Sequence, residues 1–323
     1  MKSDGHAGRT VVFGSPGTLG VERASIGGPG PGQVLVEMKA CGICHYDIKC
    51  FKNPGQDPVY SARPGHEGVG IVAEVGAGVE DLRPGDKVTS VTFGGALSDF
   101  YLADRGTVAR IPSEVRRWEQ WISEPIACVV NGLRHLAIEP GDDVVVLGAG
   151  YMGLLFVQGL PKELIHTLTA IDALDDRLAL ARKYGADRTV NPKKDDPVKA
   201  VQEITGRKVD LVIEATGAAG AIGQATEMLR NGGRLCVFGH HAVDETVPTN
   251  AWHMKGLHVL NTTPFTSRSF PKDLADAVRL MERGRYTQED LISKVYASRE
   301  LAAALHDLSP KPPEVIKAVM RNY

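Results

Sequence analysis

Residues 144–153 read Val144-Val145-Val146-Leu147-Gly148-Ala149-Gly150-Tyr151-Met152-Gly153. An uninterrupted apolar run passes straight into a turn with three glycines, and a helix-like segment follows. Gly148 permits a tight turn, Gly150 lets backbone approach a pyrophosphate, and Gly153 allows close packing of helix on strand. Tyr151 and Met152 complete the turn at the start of the helix, where backbone amides suit phosphate oxygens. Taken alone, such a turn also occurs without a ligand. The following strand adds weight: it ends Ala170-Ile171-Asp172, and Asp172 lies 19 positions after Gly153, against an expected spacing of about 20 for a ribose-binding acid. That carboxylate would accept hydrogen bonds from adenosine ribose hydroxyls and repel a 2′-phosphate, so NAD is expected over NADP. Arg177 either covers the same ribose or is a solvated helix charge.

Outward from this turn, strands alternate with helices beyond about Pro140. The strands are expected at Val144–Leu147, Leu168–Ile171, Asp210–Ile213, Arg234–Phe238 and His258–Leu260, with amphipathic helices at Asp175–Tyr184 and Ala218–Leu229. This α/β alternation predicts a doubly wound parallel sheet. Before about Pro125 the pattern differs. Short β-rich runs (Val34–Met38, Gly68–Val75, Lys87–Thr92) are separated by turns such as Gly28-Pro29-Gly30-Pro31-Gly32 and Arg83-Pro84-Gly85-Asp86. They predict a compact, barrel-like β-rich lobe. After about Asn261 the chain turns helical and ends in a strand-like Val315–Met320. The expected domains are therefore 1–125, completed by 262–323, and a dinucleotide-binding domain at 126–261.

The 323 residues suffice for two cores. The formal net charge is -2 with no basic block, which points away from nucleic acid and anionic membranes. Met1–Thr10 lacks the apolar core of a signal peptide, and no apolar run reaches membrane-spanning length. The five cysteines, Cys41, Cys44, Cys50, Cys128 and Cys236, show no disulfide framework. A cytoplasmic protein with free or metal-bound thiols is expected.

Cys41-Gly42-Ile43-Cys44, read alone, is compatible with a redox pair, a zinc knuckle or two buried cysteines. His66-Glu67 is compatible with a turn histidine beside a solvated acid. Together with Glu124, they supply a soft sulfur, an imidazole and carboxylates in one half of the chain, a donor set suited to zinc.

The order and spacing of several motifs resemble the zinc-dependent medium-chain dehydrogenases, the alcohol and polyol dehydrogenase superfamily. These are Cys41-Gly-Ile-Cys-His-Tyr-Asp47, Gly65-His-Glu-Gly-Val-Gly70 with Gly76 and Val79, Pro84-Gly-Asp-Lys-Val88, Glu124-Pro125, the Gly148 turn with Asp172, and Glu214-Ala-Thr-Gly217. The resemblance spans nearly the whole chain. It implies a GroES-like catalytic domain joined to a Rossmann domain. It makes Cys44, rather than Cys41, the thiolate ligand of a catalytic zinc, His66 the imidazole ligand, and Glu67 a carboxylate that ligates or exchanges with water. Glu124 matches the Glu-Pro of the polyol branch, Asp47 would orient the site, and Cys128 is expected to pack. Thr216 and Gly217 would line the nicotinamide site, and Lys317 would approach the pyrophosphate.

Three departures modify these expectations. Thr89–Arg110 contains no cysteine, so the family's four-cysteine structural zinc lobe is missing and one zinc per subunit is expected. Tyr46 stands where the family usually carries Ser or Thr as a proton relay, and Lys49 where a histidine commonly ends it. Trp118 and Trp121 would either narrow the pocket or pack. The resemblance implies an NAD-dependent dehydrogenase of a secondary alcohol or ketone, a polyol, sugar or cyclitol, working as a homodimer or homotetramer. The alternatives are a reductase of an imine or conjugated double bond, and a non-catalytic NAD-binding protein. His240-His241, adjacent imidazoles after a strand, are expected near the cofactor or solvent rather than at a second metal site.

Overall fold

The computed structural model describes residues 6–322, so the start of the polar Met1–Thr10 stretch lies outside the described residues. The chain divides into two compact units, 1–127 with 269–323, and 128–268. The sequence expectation set these junctions at 125 and 262.

The first unit opens with strands β1 (His6–Phe13), β2 (Leu19–Ile26) and β3 (Gln33–Ile43), then helices α1 (His45–Lys52) and α2 (Pro58–Ala62). Strands β4 (Glu67–Val75), β5 (Lys87–Val91), β6 (Phe100–Asp104) and β7 (Val108–Arg110) follow, and helix α3 (Glu124–His135) begins in this unit and continues past residue 127 into the second. The second unit contains β8 (Asp143–Leu147), α4 (Tyr151–Gly159), β9 (Thr167–Ile171), α5 (Asp175–Lys183), β10 (Arg188–Val190) and α6 (Pro197–Thr205). It continues through β11 (Val209–Glu214), α7 (Ala221–Met228), β12 (Leu229–Val237), α8 (Thr249–Lys255) and β13 (His258–Asn261). The first unit is completed by α9 (Phe270–Glu282), β14 (Ile292–Ala297), α10 (Leu301–Asp307) and β15 (Lys317–Arg321).

In the second unit every strand pair is parallel, in the order β10-β9-β8-β11-β12-β13. This is the doubly wound order of a Rossmann sheet, whose strand order reverses between β8 and β11. Central β8 is buried along its whole length, which is why it reads as continuous Val-Val-Val-Leu. Cap chemistry sets the helix ends. On α6, Asp196 accepts from the amides of Val198 and Lys199, Pro197 opens the first turn, and Gly206 closes the helix at φ +68°.

In the first unit, among the described residues, β1 and β2 form a hairpin and a seven-stranded sheet runs β14-β15-β3-β4-β5-β7, with β6 on β3. Its pairs are antiparallel except β14 with β15. Val34, Val36, Met38 and Cys41 of β3 enter one core, and Ala40 enters a second with Val69, Ile122 and Val319. Strand β14 had no sequence expectation. Its central residues, Ser293, Lys294 and Val295, are exposed, so the apolar pattern is broken. The β15 tail joins a strand more than 270 positions away in sequence, Ala318 facing Ile43 and Met320 facing Cys41.

Candidate metal and dinucleotide sites

Strands β15, β3 and β4 lie side by side, with Val319, Gly42 and Glu67 in register, and the Lys317 side chain reaches over Gly42 to Glu67. Gly42 is required there, because a Cβ would collide with the Glu67 carboxylate and lie 3.0 Å from Lys317 Cε. Strand β3 ends at Ile43, and Cys44 adopts extended backbone as the residue that caps α1. Its amide donates to Asp47 Oδ2 at 2.7 Å. Cys41 instead points into the core and donates weakly to the Gly42 carbonyl. Burial pushes the Cys41 thiol well up, aided by the charges of Asp47 and Glu67, which disfavours a thiolate. His66 follows Gly65, whose φ of +96° and closeness to the Leu97 backbone exclude a side chain.

Ligand atoms of Cys44, His66 and Glu67 all lie within 4.8 Å of one another. A thiol, an imidazole and a carboxylate at that spacing fit a zinc ion with three protein donors. Glu67 is almost fully buried, and its Oε2 accepts no hydrogen bond of good geometry although the Lys317 ammonium lies 2.6 Å away. That buried carboxylate, beside a thiol and an imidazole, completes a donor set suited to a metal cation. Glu124, the first residue of α3, is not in the 4.8 Å group. Its charge nevertheless acts on both His66 and Lys317.

The imidazole is oriented by a residue that had no sequence expectation. Tyr60, on α2, places its hydroxyl 2.7 Å from His66 Nδ1, donates to Asp47 Oδ1 at 2.5 Å and accepts from the Gly65 amide at 3.0 Å. Asp47 is acceptor-only when ionised, so the phenol proton goes to it and His66 Nδ1–H donates to the phenol oxygen. In the neutral imidazole, the form that binds a metal, this leaves Nε2 with its lone pair. Asp47 therefore reaches the histidine through Tyr60. Burial would lower the His66 pKa, but the hydrogen bond and charge of Cys44, with Asp47 and Glu124, outweigh it and hold the pKa well above its ordinary value. Burial raises the Asp47 carboxyl, opposed by His66, Tyr60 and the Cys44 amide. The only sequence signal for Tyr60 was its place six residues before His66.

Tyr46 packs edge-on against Tyr60, with ring centroids 5.0 Å apart, and donates to Asp57 Oδ2 at 2.7 Å. That hydrogen bond and burial raise its pKa. Lys49 is half-buried on α1. Lys317, expected at the pyrophosphate, is buried and ion-paired with Glu67 through both carboxylate oxygens. Burial alone would lower its pKa, but Glu67, Cys44 and Glu124 raise it. Trp118 and Trp121 are partly buried against the core containing Ala40, Val69 and Ile122, and Cys128 is buried.

In the second unit, Gly148 takes φ +98° with Thr216 packed over it, and a Cβ on Gly153 would strike the Gly148 carbonyl. A cavity of about 400 Å³ opens where the strand order reverses, lined by Gly148, Asp172, Ala173, Thr216 and Gly220 among others. Ligands in such sheets bind at this point. Asp172 is half-buried; its Oδ2 accepts from the Ala149 amide at 2.8 Å and Oδ1 from Leu174 at 2.9 Å. Gly150 caps α4, whose first residues are Tyr151, Met152 and Gly153. Arg177 is buried rather than solvated. Burial lowers its pKa against the opposing charges of Asp172 and Asp176.

Family models agree with both units. An alcohol dehydrogenase GroES-like domain matches residues 30–113, and a zinc-binding dehydrogenase domain matches residues 152–283. An alcohol dehydrogenase of Rhizobium meliloti (strain 1021) is 34% identical over 262 residues, 70% of this chain and 74% of the relative. D-arabitol-phosphate dehydrogenase of Enterococcus avium is 30% identical over 304 residues, covering 83% and 84%. Among solved structures, a zinc-binding dehydrogenase of Sinorhizobium meliloti 1021 with NADP bound superimposes with a TM-score of 0.88 at 26% identity, covering 98% of this chain and 99% of that one. Fold, motifs and relatives together show that the chain belongs to the zinc-dependent medium-chain dehydrogenase/reductase superfamily.

Proposed function

We propose that the protein is a zinc- and NAD-dependent dehydrogenase of a secondary alcohol, within the polyol, sugar and cyclitol class. The observation that carries this reading is the Cys44–His66–Glu67 cluster, with His66 held by Tyr60 so that Nε2 is available. Zinc, when bound, supplies a Lewis acid for the substrate oxygen, and the dinucleotide supplies the hydride acceptor. Cys44 and His66 would hold the metal, with a carboxylate from Glu67 or Glu124. Lys317 neutralises Glu67 and keeps that carboxylate beside the cluster. The Gly148–Gly153 turn would carry the pyrophosphate. Asp172 would take the ribose hydroxyls, with Arg177 beside it and Thr216 and Gly217 toward the nicotinamide.

Glu124-Pro125 and the arabitol-phosphate relative support the polyol class. The Asp172 carboxylate at the cavity supports NAD, although the Sinorhizobium neighbour holds NADP. Tyr46 is read as shaping the substrate pocket, with protons passing through water, Glu67 or Lys49. Among the described residues no helix is long and apolar enough to cross a membrane, consistent with the proposed cytoplasmic location. The half-exposed edge strand β13 is a surface on which copies could pair, in line with a homo-oligomer.

The test combines elemental analysis with a substrate screen. One zinc per chain and NAD reduction with polyols or their phosphates are expected. Near two zinc atoms per chain, or none after metal-replete preparation, would refute the metal assignment. Turnover confined to imines or conjugated double bonds would replace the alcohol reading.

A further inference from the structure

The His240-His241 pair finds a partner set in the second unit. Glu214 ends β11 and is fully buried. Its Oε1 accepts from the amides of Thr216 (2.7 Å) and Gly217 (3.0 Å) and from the Thr216 hydroxyl. Its Oε2 faces His241 Nε2 at 3.0 Å. The other ring nitrogen of His241 lies 2.6 Å from Glu245 Oε1, an ion pair when the imidazole is protonated, and Glu245 Oε2 accepts from the Gly220 amide at 2.9 Å. Glu214 thus holds the start of the 216–220 loop, Glu245 holds its end, and His241 joins the two carboxylates.

Backbone packing reinforces the connection. Gly217 sits at φ +64° against the His240 carbonyl, and a Cβ on Gly239 would strike the Gly217 amide. The loop so held is the one that lines the cavity through Thr216, Ala218, Ala219 and Gly220. It also presses Thr216 onto Gly148.

We propose that His241 is a positioning residue for the dinucleotide, a latch that joins Glu214 to Glu245 and keeps the 216–220 loop in its cofactor-receiving shape. This rests on the reading of the cavity as the dinucleotide site. Without the imidazole, Glu214 keeps three donors from its own loop, so the start of the loop stays in place. Glu245 loses its anchor, and the Gly220 end loosens. Binding then includes the cost of ordering that end.

The experiment compares the unmutated protein with His241→Ala and Glu245→Ala, using NADH and NADPH as fluorescent probes and hydrogen–deuterium exchange on the free protein. Each variant should weaken the dinucleotide that the parent binds by roughly 10-fold, the effect of losing one charge-assisted contact. Exchange at Gly220 should speed up while that in β8 does not. In turnover, KM for the dinucleotide should rise more than kcat falls. Glu245→Gln, which keeps an acceptor for the Gly220 amide but not the charge, should lie between. If His241→Ala does not fold, the two Glu245 variants decide. Parent-like binding and exchange in the folded variants would overturn the latch and leave the dinucleotide site standing. A parent that binds neither NADH nor NADPH would instead overturn the site, and the latch with it.

Discussion

Replacing Tyr60 by Phe removes one oxygen and keeps a ring that packs edge-on against Tyr46 at 5.0 Å and lies 5.8 Å from His66. That oxygen is the hub of three hydrogen bonds, to Asp47, His66 and Gly65. After the change, the fully buried Asp47 keeps the Cys44 amide as its named donor. Two neutral contacts at about 1 kcal/mol each, and a charged acceptor deprived of a donor at about 1.5–3 kcal/mol, give a loss of about 4 kcal/mol in the metal-free protein. Local rearrangement or water entry would reduce it toward about 2 kcal/mol. Zinc affinity should fall about 10–100-fold, because the His66 tautomer and ring orientation are no longer held. Denaturant unfolding of the metal-free variant measures the first effect, and competition with a chromophoric chelator measures the second. Asp47→Asn should weaken zinc in the same direction, since the phenol then loses its charged acceptor. An unchanged unfolding midpoint together with parent-like zinc affinity in Tyr60→Phe would refute the orienting role.

Asp172→Ser removes the carboxylate at the cavity while retaining a short hydrogen-bonding side chain. The ratio of kcat/KM for NAD over NADP should fall by roughly 10-fold or more, and equal efficiency with both cofactors in the unmutated protein would show that the acid does not discriminate. Tyr46→Phe should retain most hydride-transfer activity because the hydroxyl is directed at Asp57; a loss of about 10²–10⁴ in rate with zinc and dinucleotide still bound would make the phenol a positioned acid–base group. Asp99 is pulled below its ordinary pKa because Arg9 and Asn322 outweigh the burial that would raise it. A depressed carboxyl contributes stability above its unfolded pKa of about 3.9 and loses it as pH falls through the folded value. Asp99→Asn should therefore cost roughly 1 kcal/mol at pH 7, a difference that shrinks as unfolding is followed below about pH 4.

Local spacing determined much of this protein. Four apolar residues running into Gly148, Gly150 and Gly153, with an acid 19 positions later, specified a strand, a tight turn and a helix by steric rules within a few residues. The alternation beyond Pro140 likewise specified the parallel sheet. Cys44 and His66-Glu67 are singled out by the family resemblance that their short contiguous motifs carry, since each motif read alone leaves other roles open. What tertiary structure alone decided was which distant groups meet. Lys317 lies 250 residues from Glu67 yet shares its carboxylate, because β15 pairs with β3 beside β4. His241 is 27 residues from Glu214, and their contact depends on neighbouring parallel strands ending at the same edge. Tyr60 carries no pattern that distinguishes a core phenol from one aimed at an imidazole. Side-chain direction and burial are set by packing against segments remote in sequence, and those relations leave no local periodicity to read.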